Sequence, residues 1–185
     1  MSQPPRLAPL DLDKLSPEQK QVADGIIKGP RGGLRGPFEP WLRSPLLADR
    51  AQKLGEYCRF NNSLPKDLSE LAILLVGRRF KAQFEFYAHA RLAREAGLAP
   101  EIVEAVRTYQ SPPFKREVER VVYDFVSEYL ATNRVSDVNY KRAIDAFGEQ
   151  GVVDLVGVSG YYMLVSMTLN VFQINVPPGE PEPLA

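Results

Sequence analysis

Apolar residues recur along most of this 185-residue chain at steps of three and four, the spacing that places them on one face of an α-helix. The clearest segments run over about 66–79, 82–96, 115–132 and 136–147. No stretch of useful length alternates apolar and polar residues as a β-strand would. The pattern therefore predicts an all-α protein.

Helix-start signals add further elements. Ser16-Pro17 and Ser44-Pro45 each join a capping hydroxyl to a proline at the first helical position. They predict one helix that ends before Gly29 and another that runs to about residue 61. A shorter helix is expected over 100–106. The intervening segment RGGLRGPFEPW, residues 31–41, is rich in glycine and proline, so we predict no regular structure there.

The predicted helices group into a single domain, residues 16–176. Residues 1–15 hold three prolines and no periodic pattern, which indicates an extended N-terminal arm. Residues 177–185, PPGEPEPLA, hold four prolines and two acids. This tail offers too little apolar area to order itself, so we predict that it is disordered.

One stretch, residues 151–176, is long and apolar enough to span a bilayer, with Asp154 as its single charge. It also contains several serine, threonine, asparagine and glutamine side chains. No second such segment and no basic flank accompany it. We therefore interpret it as a buried core helix or an oligomer interface and predict no membrane anchor.

Composition narrows the function classes. Lys plus Arg and Asp plus Glu both number 23, so the formal net charge is zero and gives no case for binding nucleic acid or an anionic membrane. The chain does not open with a basic start followed by an apolar run, and we expect a cytoplasmic protein. With Cys58 as its one cysteine, the chain cannot form an intrachain disulfide or a Cys-x-x-Cys redox pair.

The candidate site centres on the one histidine, His89. Glu85 lies one helical turn before it, and residues four apart share a helix face. Glu70 adjoins the apolar run LAILLV of the preceding predicted helix. Burying an ionised carboxylate is unfavourable unless it is paired and hydrogen-bonded, so we expect Glu70, Glu85 and His89 to meet. The alternative is purely structural: Glu85 holds a core histidine, and Glu70 pairs with Arg78 or Arg79.

An imidazole beside a carboxylate can exchange a proton near neutral pH, as a general acid or base must. Metal binding is the weaker interpretation, because the chain lacks the Cys or His spacing of zinc sites. Segment 31–41 carries arginines and aromatic residues that could cover an anionic ligand, although the aromatic residues could equally fill the core. The candidate substrate-binding residues are Arg35, Phe38, Trp41 and Phe86.

The stretch ELAILLVGRRFKAQFEFYAHARLAREAG, residues 70–97, resembles the carboxymuconolactone decarboxylase and AhpD-like superfamily. In its peroxidase branch a glutamate precedes a Cys-x-x-Cys pair and a histidine. Placing His89 on that histidine puts Glu70 on the glutamate and Ala82 and Glu85 on the cysteines. The thiols are absent, whereas Glu85-x-x-x-His89 resembles the decarboxylase branch. The similarity covers about residues 35–175, including GYYMLVSMTLNVFQI, and implies an AhpD-like helical bundle.

The resemblance also implies a function. A decarboxylase-branch enzyme would act on a small carboxylated or lactone-type molecule without a metal or organic cofactor. His89 would deliver the proton, oriented by Glu85, while Glu70 held the histidine or a water. A homo-oligomer (dimer, trimer or hexamer) is implied as well. Two alternatives stay open: a peroxide-handling oxidoreductase, opposed by the missing cysteines, and a non-catalytic helical binding or assembly protein that keeps the fold.

Overall fold

The computed structural model describes residues 4–184, which form eight α-helices and no strand. The predicted all-α class is confirmed. The helices are α1 (Pro17–Lys28), α2 (Phe38–Trp41), α3 (Pro45–Glu56), α4 (Lys66–Arg79), α5 (Gln83–Glu95), α6 (Pro100–Arg107), α7 (Glu117–Thr132) and α8 (Asp137–Phe172).

Most helices begin where the sequence places them, because capping is a local interaction. Ser16 caps α1 and exchanges side-chain and backbone hydrogen bonds with Gln19. The helix predicted from residue 45 to 61 instead changes type: α3 ends at Glu56 and continues as a π-helical turn, Tyr57–Asn61. Segment 31–41, predicted to be irregular, ends in α2, since Pro40 lies in the first turn where a helix tolerates proline.

Helix α8 joins two predicted helices across a bend at Gly148, whose φ of 67° and ψ of 178° suit glycine. The one charge in its apolar part, Asp154, is buried but fully partnered. Its carboxylate accepts hydrogen bonds from the Tyr57 hydroxyl (2.7 Å) and from the Ser63 N–H (2.8 Å) and hydroxyl (2.6 Å). These partners allow a carboxylate to lie in an apolar helix.

The centre of the domain is α4, which packs against α5, α6, α7 and α8. Every residue from Asp67 to Arg78 is buried, so α4 has no solvent face, whereas the sequence indicated one apolar side. By length and composition α8 could cross a membrane, and its most apolar 18-residue window has a mean hydropathy of 1.5. Of that window 61% is buried within the domain, as in the core helix of a globular protein.

Both terminal segments lie on the domain. The predicted N-terminal arm contains a 3-10 turn, Leu12–Lys14, and Leu10 donates its N–H to Glu39 (2.7 Å). The tail differs from the predicted disorder: Leu184 is 4% exposed and its backbone exchanges two hydrogen bonds with the Gln83 side chain (2.7 and 2.9 Å). The Arg107 guanidinium also donates to the Pro183 carbonyl (3.1 Å), so an apolar side chain, an amide and a guanidinium hold the segment. Residues 1–3 of the arm and residue 185 of the tail lie outside the described residues.

Candidate active site

Two adjacent helices bring the candidate catalytic side chains together. Glu70 comes from the first half of α4, and Glu85 and His89 lie one turn apart on α5. Because α4 and α5 pack against each other as a hairpin, the three side chains meet although Glu70 and His89 are nineteen residues apart. Each is at most 6% exposed. The structure therefore assembles the three residues that the sequence singled out.

The imidazole of His89 lies between two carboxylates. Its Nδ1 is 2.6 Å from Glu70 Oε2, a buried hydrogen bond. Its Nε2 is 3.0 Å from Glu85 Oε1, within ion-pair distance, but Oε1 lacks a well-directed hydrogen bond. The Tyr162 ring meets the imidazole edge to face, with 4.9 Å between centroids. Glu70 therefore fixes the orientation of the ring, and Oε1 of Glu85 remains available to accept a hydrogen bond.

The charge of His89 is set by two opposing effects. Burial by itself would lower the pKa of this imidazole, but the charges of Glu70 and Glu85 and the hydrogen bond to Glu70 outweigh it and raise the pKa to about 9. The sequence suggested proton exchange near neutral pH. A pKa of about 9 favours the protonated ring at pH 7, in which His89 can act as a proton donor.

A cavity of about 160 Å³ opens beside this triad. Glu85 and His89 line it, whereas Glu70 does not. Of the two carboxylates that flank the ring, the one beside Nε2 is therefore part of the cavity wall, and the one beside Nδ1 is not. A ligand in the cavity would meet the Nε2 proton of His89.

Four arginines surround the cavity: Arg31, Arg35, Arg59 and Arg91. Only Arg91 has an ion-pair partner within residues 4–184, namely Glu95 at 2.6 Å. Arg31 is the most informative of the four, because its Nε and Nη2 are shut off from solvent without a hydrogen-bond acceptor in the described part of the chain. This excess of positive charge suits an anionic ligand. The remaining wall consists mainly of Phe38, Phe84, Leu92, Tyr161, Tyr162 and Val165.

Arg31 reaches the cavity through a gap left by Gly55. The Arg31 guanidinium carbon lies 4.8 Å from the Phe38 ring centroid, a cation–π distance. A Cβ on Gly55 would overlap the Tyr161 hydroxyl and come within 2.5 Å of Arg31 Nη2. Burial raises the pKa of Tyr161 above its usual range, so its hydroxyl keeps its proton at this wall of the cavity.

The predicted substrate-binding residues divide into two pairs. Arg35 and Phe38 line the cavity. Trp41 and Phe86 do not line it, and that expectation was wrong: both fill the core, where Trp41 donates its indole N–H to Thr168 (3.0 Å) and Phe86 is almost fully enclosed. Large aromatic side chains near a site are as well suited to the core as to a ligand.

Sequence reasoning missed Arg59, Arg91 and the two tyrosines of α8. Leu92, seven residues after Glu85, lies on the cavity face, so helical spacing could have indicated the α5 part of the wall. No comparable signal exists for Arg59, because the π-helical turn sets its direction. Tyr161 and Tyr162 stand in an apolar run that gives no sign of a cavity.

The described residues offer few groups suited to thiol chemistry or to metal binding. Burial and the charge of Asp154 raise the pKa of Cys58 to about 11, with Arg31 opposing them in part, so its thiol is protonated at neutral pH. Alanine and glutamate occupy positions 82 and 85. Within residues 4–184, no three His, Cys, Asp or Glu side chains are placed to hold a metal ion.

No protein-family model and no curated protein matches the chain. Solved structures do match. An uncharacterized peroxidase-related protein with an alkylhydroperoxidase AhpD core, from Ralstonia eutropha JMP134, gives a TM-score of 0.77 at 13% identity over 96% of this chain and 95% of that chain. The debrominase Bmp8 in complex with 2,3,4-tribromopyrrole gives 0.76 at 14% identity over 96% and 95%. A peroxidase-related protein from Silicibacter sp. TM1040 gives 0.73 at 16% identity over 93% of each. The chain has the AhpD-like all-α fold, as the sequence predicted.

Proposed function

We propose that this chain is a carboxymuconolactone decarboxylase-like enzyme, which acts on a small carboxylated or lactone-type anion in the arginine-lined cavity. The observation that carries the proposal is the His89 imidazole, held by Glu70 through Nδ1 at the edge of a cavity with unpaired arginines. The site thus combines a proton that His89 can donate with arginines that can bind an anion. A cytoplasmic location belongs to the same proposal.

The arginines support a substrate with two negatively charged groups. An arginine bound to the carboxylate that leaves as CO2 would stabilise the ground state of the substrate and would therefore slow the loss of CO2. We therefore assign the unpaired Arg31 to a second anionic oxygen of the substrate, on which charge increases during the reaction. Donors that meet charge as it develops lower the barrier more than donors that bind the ground state.

The chemistry balances with this chain's own side chains. Loss of CO2 breaks one carbon–carbon bond and leaves its electron pair on the conjugated skeleton. His89 Nε2 then gives its proton to the carbanionic carbon and regains one from water. Each turnover thus consumes one proton and releases one CO2.

The two glutamates take different parts. Glu70 holds Nδ1, a role that the resemblance implied for it, and it also orients the ring, which the resemblance had assigned to Glu85. Glu85, beside Nε2, supports the positive charge of the imidazolium until the proton moves. Peroxide reduction is disfavoured because positions 82 and 85 lack thiols and the Cys58 thiol is buried and protonated.

The test is a panel of γ-lactone and muconate-type carboxylates, assayed by CO2 release and by absorbance of the conjugated system. We expect turnover by the wild type and a loss of about 10²-fold or more in His89→Ala and Glu85→Gln. Arg31→Gln should mainly lower kcat, because the guanidinium is assigned to an oxygen on which charge increases during the reaction. Circular dichroism should show unchanged helix content, with the exposed Glu180→Gln as a control. Binding of panel compounds with no turnover would favour the non-catalytic alternative, and full turnover in His89→Ala would remove His89 from the mechanism.

A further inference from the structure

A second cavity, of about 210 Å³, lies between the C-terminal part of α4, the end of α6 and α7. It shares no lining residue with the candidate active site. Most of its wall is apolar or aromatic, which suits the hydrocarbon part of a ligand. Apart from Arg78, Arg79, Gln110 and Ser127, the lining residues are Leu75, Val106, Tyr109, Tyr123, Leu130 and Ala131.

The unusual feature of this cavity is Arg78, a cation in its wall that is only 7% exposed. Its Nε and Nη1 are shut off from solvent and have no hydrogen-bond acceptor in the described part of the chain. No carboxylate within residues 4–184 lies within ion-pair distance of it, and Glu70 instead binds His89. A buried cation without a counter-ion is unfavourable, so the cavity lacks one negative charge.

Tyr109 holds the guanidinium in place. The guanidinium carbon of Arg78 lies 3.8 Å from the Tyr109 ring centroid, and the Tyr109 hydroxyl donates to the Arg78 carbonyl (3.2 Å). Tyr109 adopts a left-handed backbone with φ of 56°, which is unfavourable for a non-glycine residue. Such a conformation persists where surrounding contacts enforce it. Arg79 also lines the cavity and adds a second positive charge.

We propose that this cavity, the Arg78 cavity, binds a small amphipathic monocarboxylate. The carboxylate pairs with the Arg78 guanidinium, whose planar fork matches two carboxylate oxygens. The hydrocarbon part lies among the leucine, valine and tyrosine side chains of the wall. The ligand supplies the missing charge and covers the apolar surface at once.

The test uses isothermal titration calorimetry of the full chain with octanoate. Neutral 1-octanol and acetate are the comparators, since each lacks one half of the proposed ligand. We expect octanoate to bind at least tenfold more tightly than either. Arg78→Met should weaken octanoate by about ten- to a hundredfold, the range for losing a charged hydrogen-bond partner. Ser127→Phe should also weaken octanoate binding, because the added ring fills the cavity while Arg78 is kept.

Arg31→Met, in the other cavity, is the matched control and should leave octanoate affinity within twofold. The proposal fails if octanol binds as well as octanoate, or if Arg31→Met abolishes binding and Arg78→Met does not. It also fails if Ser127→Phe lowers the oligomeric mass while octanoate still binds normally, because the cavity would then be a subunit contact.

A melting experiment separates ligand binding from a purely structural Arg78. Without ligand, Arg78→Met should melt no lower than the wild type, because it removes an unpaired buried charge. Octanoate should raise the Tm of the wild type and leave that of Arg78→Met unchanged. A markedly lower Tm in ligand-free Arg78→Met would show that the cation is already satisfied, and would overturn the proposal.

Discussion

The imidazole of His89 carries a pH dependence that can be measured without any substrate. Its pKa is about 9 in the folded protein and about 6.5 in an unfolded chain. Below pH 6.5 the group is protonated in both states and its contribution to stability is present in full. That contribution is lost as the pH rises through 9.

We therefore expect the free energy of unfolding to fall by a few kcal/mol between pH 6.5 and 9.5 in the wild type, measured against His89→Gln. Urea titrations at half-unit pH steps give the difference between the two curves, and other titrating groups cancel in it. Parallel curves would show that the carboxylates do not hold the proton on His89. If His89 is the acid of the proposed reaction, turnover should also decline on the alkaline side near pH 9.

The residues of the triad could be predicted because two simple rules apply to them. Helical spacing puts Glu85 and His89 on one face, and a carboxylate such as Glu70 in an apolar run needs a partner. Trp41 and Phe86 were misplaced because an aromatic residue satisfies a core and a ligand site equally well. Arg59 could not be placed, since its direction depends on a change of helix type.

At the scale of helices, the contact between α3 and α8 depends on Gly55. A Cβ at this position would overlap the Tyr161 hydroxyl, which burial holds in place. We expect Gly55→Ala to destabilise the domain by about 1–3 kcal/mol, the range for overpacking a core, and to displace Arg31 from the cavity. Thermal melting and kcat/KM for the substrate would measure the two effects.

Gly25→Ala is the matched control. Gly25 lies in α1, and a Cβ added there would have no heavy atom of another part of the protein within 4 Å, so alanine meets open space. Its better helix propensity should leave stability unchanged or raise it by up to about 1 kcal/mol. Equal stabilisation by both substitutions would mean that α3 and α8 are not in close contact at Gly55.

Helix starts were predictable for a similar reason: Ser16 and the prolines after Ser16 and Ser44 act within a single turn. Features that depend on distant packing were not. The tail is held where Leu184 meets Gln83 and where Arg107 donates to the Pro183 carbonyl, both far away in the sequence, and nothing in the tail's own composition indicates these contacts.

For the whole molecule, the outer face of α8 is the feature that indicates assembly. Its solvent side is an apolar stripe at helical spacing, and Met167 in it is 62% exposed. A continuous apolar surface of this kind usually marks an interface. The stripe consists of Val153, Val156, Leu164, Met167 and Val171.

We therefore expect a homo-oligomer that buries this stripe, with a sedimentation mass that is a multiple of 20.7 kDa at micromolar concentration. Met167→Lys combined with Val156→Lys should shift it to the monomer mass and keep the helical content. Val138→Lys, on the other arm of α8 and also exposed, is the control and should leave the mass unchanged. A monomeric wild type would rule out this interface.

The π-helical turn Tyr57–Asn61 affects how relatives of this chain should be aligned. A π turn holds one residue more than an α turn. Deleting one residue at the start of this turn would restore a regular helix and would rotate every residue that follows the deletion by about 100°. Arg59 and Phe60 would then swing away from Arg31 and the cavity. Two sequences that differ by one gap at this point can share the whole fold and still differ in the ligands they accept.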